Sequence, residues 1–306
     1  MKIDQIHPEL RNTVRFILPF PHNRTLVAIL NLLINLAPRK SVINGVKITD
    51  KQLENTTVRI YRPEGKLSGA GLLWIHGGGF IIGRAYINDK LCAAYSKDLG
   101  LVVVSVDYRL APRFPFPAAF DDCFEAWQWF QNEAATMGID PELIAISGQS
   151  SGGCLAASLA QKIHDEGSVE PAAQALLCPT LDDRTAANYE LDAINHRIWN
   201  NKSNRFAWSA YLGQPPGIPD VPEYAVPSRR ENLSGLPPAW ISVGDVELFY
   251  EEASRYCEHL NENGVDCRLH VTPMAPHGFE AFVPKASITQ DLFKANYQFL
   301  RETLKI

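Results

Sequence analysis

The segment Gly148-Gln149-Ser150-Ser151-Gly152 sets a serine between two glycines at Gly-x-Ser-x-Gly spacing. It follows the apolar run Leu143–Ile146 and precedes a helical pattern that opens at Ser151. A strand turning sharply into a helix leaves no room for side chains two positions either side of the serine, so both must be glycine. Such a turn lifts the Ser150 hydroxyl above a sheet and aims a helix N-terminus at it, which suits a nucleophile. The alternative is a glycine-rich turn that binds phosphate at a helix N-terminus. His76-Gly77-Gly78-Gly79-Phe80 follows a second apolar run, Leu72–Ile75. Three successive glycines let backbone N–H groups approach a ligand closely. With the N–H of the residue after the nucleophile, they could hold the oxyanion of a tetrahedral intermediate. The bland readings are a flexible loop or a phosphate loop, although the Lys-Ser/Thr of a Walker motif is missing.

A serine nucleophile needs a base, and His277 in Ala275-Pro276-His277-Gly278-Phe279 sits just after the last strand candidate. A neutral imidazole there can take the serine proton near neutrality. The acid must lie between serine and histidine in the chain, the order of α/β hydrolases. Val243-Gly244-Asp245-Val246-Glu247-Leu248-Phe249 offers two carboxylates, Asp245 and Glu247, and physical reasoning alone leaves both open. The other histidines show no such placement and no His-Glu-x-x-His occurs, so neither a metal site nor a cofactor is expected.

The elements that would position these residues alternate regularly from about residue 70. Leu72–Ile75, Leu101–Val106, Leu143–Ile146, Ala175–Cys178, Ala239–Val243 and Arg268–Val271 are Val-, Ile- and Leu-rich runs without strict alternation. That is the signature of strands buried on both faces of a parallel sheet. Helix patterns lie between them: Asp121–Met137, Ser151–Glu166 and Tyr250–Asn263 each end at a glycine, and Ile288–Leu304 closes the chain. Strand and helix in alternation give a doubly wound α/β sheet with right-handed crossovers. Residues 46–181 and 237–306 therefore read as the catalytic domain. Residues 1–45 read as helical, and residues 182–236 as a long insertion rich in Asn, Trp and Pro. The two are expected to meet as cap segments over the C-terminal edge of the sheet.

Composition narrows the function classes. The chain has 306 residues, 46% hydrophobic and 21% charged, which excludes a disordered chain. A formal net charge of −5 with no basic run gives no reason to expect nucleic acid. The longest apolar stretch, Thr25–Pro38, is too short to span a bilayer. Its apolar residues spread around the helix, which suits a cap helix covering a pocket at least as well as an interfacial one. The start, MKIDQIHPELRN, carries acids and no cleavage site. Six scattered cysteines without a Cys-x-x-Cys read as buried thiols. The expected location is the cytoplasm, without stable membrane insertion.

At this point the sequence resembles the hormone-sensitive-lipase-like, bacterial family IV carboxylesterases of the α/β-hydrolase superfamily. The motifs that carry the resemblance are HGGGF at 76–80, DYRLAP at 107–112 with FPAAFDD at 116–122, GQSSGG at 148–153 and PHGF at 276–279. GIDPELIAISG at 138–148 also looks like this family. The resemblance implies a mostly parallel eight-stranded sheet with a helical cap, and hydrolysis of short- to medium-chain acyl esters. It places Ser150 and His277 in the triad and the oxyanion donors at Gly78, Gly79 and Ser151. Aligning the paired acids Glu251 and Glu252 with the family's motif puts Glu247, in place of the usual aspartate, in the catalytic slot. Gln149, Ser151 and Arg113 stand where the family usually has Asp, Ala and Glu.

The resulting expectation is a serine carboxylesterase acting on a small-molecule ester without cofactor or metal, with Phe80 and the cap forming the acyl and alcohol pockets. A homodimer through the last strand is the assembly the resemblance favours. Two alternatives remain: a non-catalytic small-molecule receptor on the same fold, and an amide or thioester hydrolase.

Overall fold

The computed structural model describes residues 1–306. Nine strands form one sheet: β1 Val42–Ile43, β2 Val46–Gln52, β3 Thr57–Pro63, β4 Gly71–Ile75, β5 Val102–Asp107, β6 Ile144–Gln149, β7 Gln174–Leu177, β8 Ala239–Gly244 and β9 Cys267–Thr272. Their order is β1-β2-β3-β5-β4-β6-β7-β8-β9. The pairs among β1, β2, β3 and β5 are antiparallel, and every pair from β5 to β9 is parallel. The six apolar runs are the six parallel strands.

Ten helices accompany the sheet: α1 Pro8–Val14, α2 Arg24–Asn35, α3 Asp89–Leu99, α4 Ala118–Glu133, α5 Ser151–Glu166, α6 Asp183–Ala187, α7 Asn201–Leu212, α8 Tyr250–Glu262, α9 Phe279–Phe282 and α10 Ser287–Leu304. Burial on both faces explains the lack of alternation in the strands. All five residues of β4 are buried. Its Leu73 and Ile75 join the core under α4, α5 and α8, with Phe130, Leu155 and Tyr256. Its Leu72 and Trp74 join the opposite core under α1, α3 and α10, with Leu10, Tyr95 and Phe299.

The sheet departs from the expected eight strands at its antiparallel end. Asn44 and Gly45 both take positive φ, and this two-residue turn folds Val42–Ile43 back onto β2 as a ninth strand. Residues 1–45 are thus helical only over α1, α2 and a short turn at Ile3–Gln5. β2 escaped detection because only its first half alternates buried with exposed residues; the rest is exposed. Helix α3 escaped because its core face is built partly from small residues, Cys92 and Ala93 beside Tyr95 and Leu99.

The N-terminal segment and the 182–236 insertion touch. The Met1 amino group donates to the Ile194 carbonyl at 2.5 Å, and the Ser203 hydroxyl donates to the Phe20 carbonyl at 2.6 Å. Phe20 also sets its ring edge-on to Trp199 at 5.5 Å. Helix α2 then reaches the loop leaving the C-terminal end of β4. Its Asn31 amide donates to the Ile81 carbonyl at 2.8 Å and accepts from the Gly83 N–H at 3.2 Å.

Candidate active site

Ser150 sits between β6 and α5 at φ 55°, ψ −119°, a conformation that L-residues avoid and that persists only where surrounding structure enforces it. Four main-chain hydrogen bonds do so: Ser150 N–H to Leu177 O at 2.8 Å, and the N–H groups of Gly153, Cys154 and Thr180 to Ser150 O at 2.9, 3.2 and 3.2 Å. The flanking glycines are required by contact. A Cβ on Gly148 would lie 2.1 Å from the Gly152 carbonyl oxygen, and one on Gly152 would lie 2.1 Å from that of Ile75.

His277 lies in the loop after β9 and brings its Nε2 to 2.9 Å from Ser150 Oγ. Its Nδ1 lies 3.1 Å from Glu247 Oε2. These partners assign the tautomer: Nδ1–H donates to the carboxylate and Nε2 accepts the serine proton. All three side chains are buried, and Phe249 meets the imidazole edge-on at 5.0 Å. Burial pushes the Glu247 carboxyl above its usual range, and the imidazole beside it pulls the other way.

The geometry separates the two carboxylates that the sequence left open. Asp245 is exposed, and its Oδ1 accepts the Met274 N–H at 2.5 Å. It braces the loop that carries His277 and does not touch the imidazole. Glu252 is also structural: its buried carboxylate accepts the Leu181 N–H at 2.7 Å and the Thr185 hydroxyl. Glu251 is exposed.

In the loop after β4, Gly78 takes φ 119° and a Cβ there would meet the Ile82 carbonyl oxygen at 1.9 Å. The Gly78 and Gly79 N–H groups donate to no acceptor in the chain. Ser151 opens α5, so its N–H has no partner inside the helix. His76 is fully buried, stacked on Tyr108 at 4.2 Å, with its Nδ1 2.7 Å from the Gly77 carbonyl oxygen. Burial lowers its pKa to about 4. Phe80 is 1% exposed and stacks on Tyr211 at 3.9 Å, so it anchors this loop in the core and does not wall an open pocket.

The residues that depart from the family pattern have local explanations. Gln149 donates to Glu280 Oε1 at 2.6 Å, so a neutral amide satisfies a buried carboxylate beside Ser150. The Ser151 hydroxyl is buried near Tyr108. Arg113 is exposed and lies over the Phe114 ring. The ion pair of that region is instead Arg109 with the buried Asp122, at 2.7 Å.

Sequence reasoning missed four neighbours of the site: Asn31, Cys178, Trp199 and Glu280. Trp199 caps Gly79 closely enough that a Cβ there would lie 2.4 Å from its ring. Glu280 was foreshadowed only by the unusual Gln149. Cys178, Glu247 and His277 place thiol, carboxylate and imidazole donors within 4.8 Å of one another, so this corner could hold a soft metal ion. A groove of about 950 Å³ beside the site reaches Gln149 and Glu280 but not Ser150, Glu247 or His277.

Comparison with known proteins adds four findings. A family described as the alpha/beta hydrolase fold matches residues 72–281. The chain is 30% identical over 260 residues to an ethyl acetate hydrolase of Pseudomonas putida, covering 81% of this chain and 79% of that one. It is 32% identical over 265 residues to esterase LipI of Mycobacterium tuberculosis, covering 82% and 81%. Among solved structures, a bacterial heroin esterase superposes with a TM-score of 0.88 at 31% identity over 99% of both chains. Match over most of the chain, in sequence and in structure, places this protein in the α/β-hydrolase family, among its hormone-sensitive-lipase-like carboxylesterases.

Proposed function

We propose that this carboxylic ester hydrolase works through Ser150, His277 and Glu247 on short- to medium-chain acyl esters. The observation that carries the reading is the unbroken hydrogen-bond chain from Ser150 Oγ to His277 Nε2 at 2.9 Å and from His277 Nδ1 to Glu247 at 3.1 Å. Ser150 Oγ attacks the ester carbonyl while His277 Nε2 takes its proton. The N–H groups of Gly78, Gly79 and Ser151 hold the oxyanion. The imidazolium, steadied by Glu247, gives the proton to the departing alcohol and leaves an acyl-Ser150 ester. A water then loses a proton to His277 and attacks the acyl carbon; the carboxylic acid leaves and Ser150 regains its proton. The similarity to the ethyl acetate hydrolase of Pseudomonas putida supports a small acyl group. The segments 1–45 and 182–236 act as the cap over this site. A cytoplasmic location is supported by six free, buried cysteines. A homodimer would use the outer edge of β9, which ends the sheet.

The test is hydrolysis of a chromogenic ester series from acetyl to palmitoyl, run on wild type and Ser150→Ala. Activity falling with acyl length and reduced at least about 10⁴-fold in the variant is the expected result. Near wild-type activity in Ser150→Ala would remove the serine mechanism. Wild type inactive on every ester, but active on amides, would change the bond and keep the triad.

A further inference from the structure

Helix α2 carries two apolar stripes, and only one faces the protein. Val27 is buried with Ile81, Ile82, Trp199 and Phe249, and Leu30 and Ile34 pack against the same cluster. Leu26, Ile29, Leu33 and Leu36, with Leu32 beside them, point away and are 49–73% exposed. Phe16 and Leu18, just before the helix, are 79% and 82% exposed, and Val42 just after it is 54% exposed. Eight of the fourteen exposed large hydrophobic residues thus fall within residues 16–42. A soluble surface does not concentrate apolar side chains in this way unless something covers them.

The charge around the stripe says what. From Leu10 to Thr49 the chain has no Asp or Glu, but it has six cations: Arg11, Arg15, Arg24, Arg39, Lys40 and Lys47. The chain as a whole is −5, so this segment is +6 and the remainder −11. Arg15, Arg24, Lys40 and Lys47 are exposed and pair with no carboxylate; Arg39 alone approaches one, Asp50, at 3.7 Å. The cations flank the stripe at both ends and leave its centre free of charge. We propose that this face docks α2 on an anionic lipid surface, the apolar stripe entering the headgroup boundary and the flanking cations meeting lipid phosphates. A second copy of the chain fits poorly, because a two-fold contact would set one +6 segment against another.

The docked helix is coupled to the site. Asn31 on its inner side holds Ile81 and Gly83, in the loop that continues from Gly78 and Gly79. The proposal does not depend on the ester chemistry. It predicts where the enzyme sits, not what bond it breaks.

The experiment is co-sedimentation of the full chain with vesicles of phosphatidylcholine alone and of phosphatidylcholine mixed with phosphatidylglycerol, at low and high salt. Wild type should pellet with the anionic vesicles, at least tenfold more tightly than with the neutral ones, and high salt should release it. Leu33→Glu combined with Leu36→Glu should lose that binding at least tenfold. So should Arg39→Glu combined with Lys40→Glu. Both variants should keep a wild-type melting temperature, which shows that the lost binding does not come from a lost fold. No pelleting of wild type with anionic vesicles at low salt overturns the proposal. So does equal pelleting by both variants, or a concentration-dependent dimer that Leu33→Glu with Leu36→Glu splits, which would assign the face to a second copy.

Discussion

The elbow at Ser150 and the helix α2 above it are held in opposite ways. Around Ser150 the backbone has no freedom: four main-chain hydrogen bonds fix a strained φ, and a single methyl group at Gly148 or Gly152 would collide with a carbonyl oxygen. Helix α2 is held by a few side-chain hydrogen bonds, at Asn31, Asn35 and the Ile34 carbonyl, and by one buried residue, Val27, with Leu30 and Ile34 half-buried and most of its surface in solvent. Reacting groups must be placed to within a fraction of an ångström, and close packing on every side does that. If α2 serves as the proposed cap it must admit substrate and move with what it meets, and sparse attachment suits that.

Three changes sharpen or break that contrast. The largest effect is expected at the acid. Glu247→Gln should lower kcat about 10³- to 10⁴-fold, because a neutral amide neither fixes the imidazole tautomer nor steadies the imidazolium. Asp245→Asn, which can still accept from Met274, should cost less than about tenfold. Steady-state kinetics on both variants decides it, and the reverse ranking would move the acid to Asp245.

Next in size is a pH effect inside the packed loop. Burial holds His76 at about 4, whereas an exposed imidazole titrates near 6.5. Between those values the unfolded chain binds a proton that the folded chain refuses. Stability present above pH 6.5 is therefore lost as pH falls towards 4, by about 3 kcal/mol from this residue. His76→Asn should reduce the difference in unfolding free energy between pH 7 and pH 4.5, measured in urea. An unchanged difference would place the proton uptake on another group, with the buried His196, also lowered to about 4, as the first suspect.

The smallest effect is expected in helix α2. Asn31→Ala removes both hydrogen bonds to the loop at Ile81 and Gly83 and should cost about 1 kcal/mol. Amide exchange at Gly83 should quicken and KM should rise, while kcat stays within about twofold. A loss of kcat as large as that from Glu247→Gln would show that the cap is part of the rigid machinery, and the contrast between the two regions would fail.

What could be read from the sequence follows how local each signal is. The elbow, the glycine loop and the His277 turn announce themselves because steric exclusion dictates glycine within two or three residues of the reacting group. The parallel strands are legible because burial on both faces forces continuous apolar runs. β2 was not, because its second half faces water, and β1 could have been found only by giving weight to Asn44-Gly45 as a hairpin turn.

Glu247 is the intermediate case. The sequence supplied two carboxylates within three residues, and the separation came from where each loop points: Asp245 outward to Met274, Glu247 inward to His277. No local rule contains that direction, which depends on β9 bringing its loop alongside β8. The same limit applies to Gln149 meeting Glu280, 131 residues away, and to Phe80 lying in the core. It applies most to α2. Its sequence fixed an apolar helix in an acid-free stretch, because composition and spacing are one-dimensional properties. Which stripe turns inward and which stays in solvent was decided by tertiary structure alone, since burial depends on what the rest of the chain brings alongside.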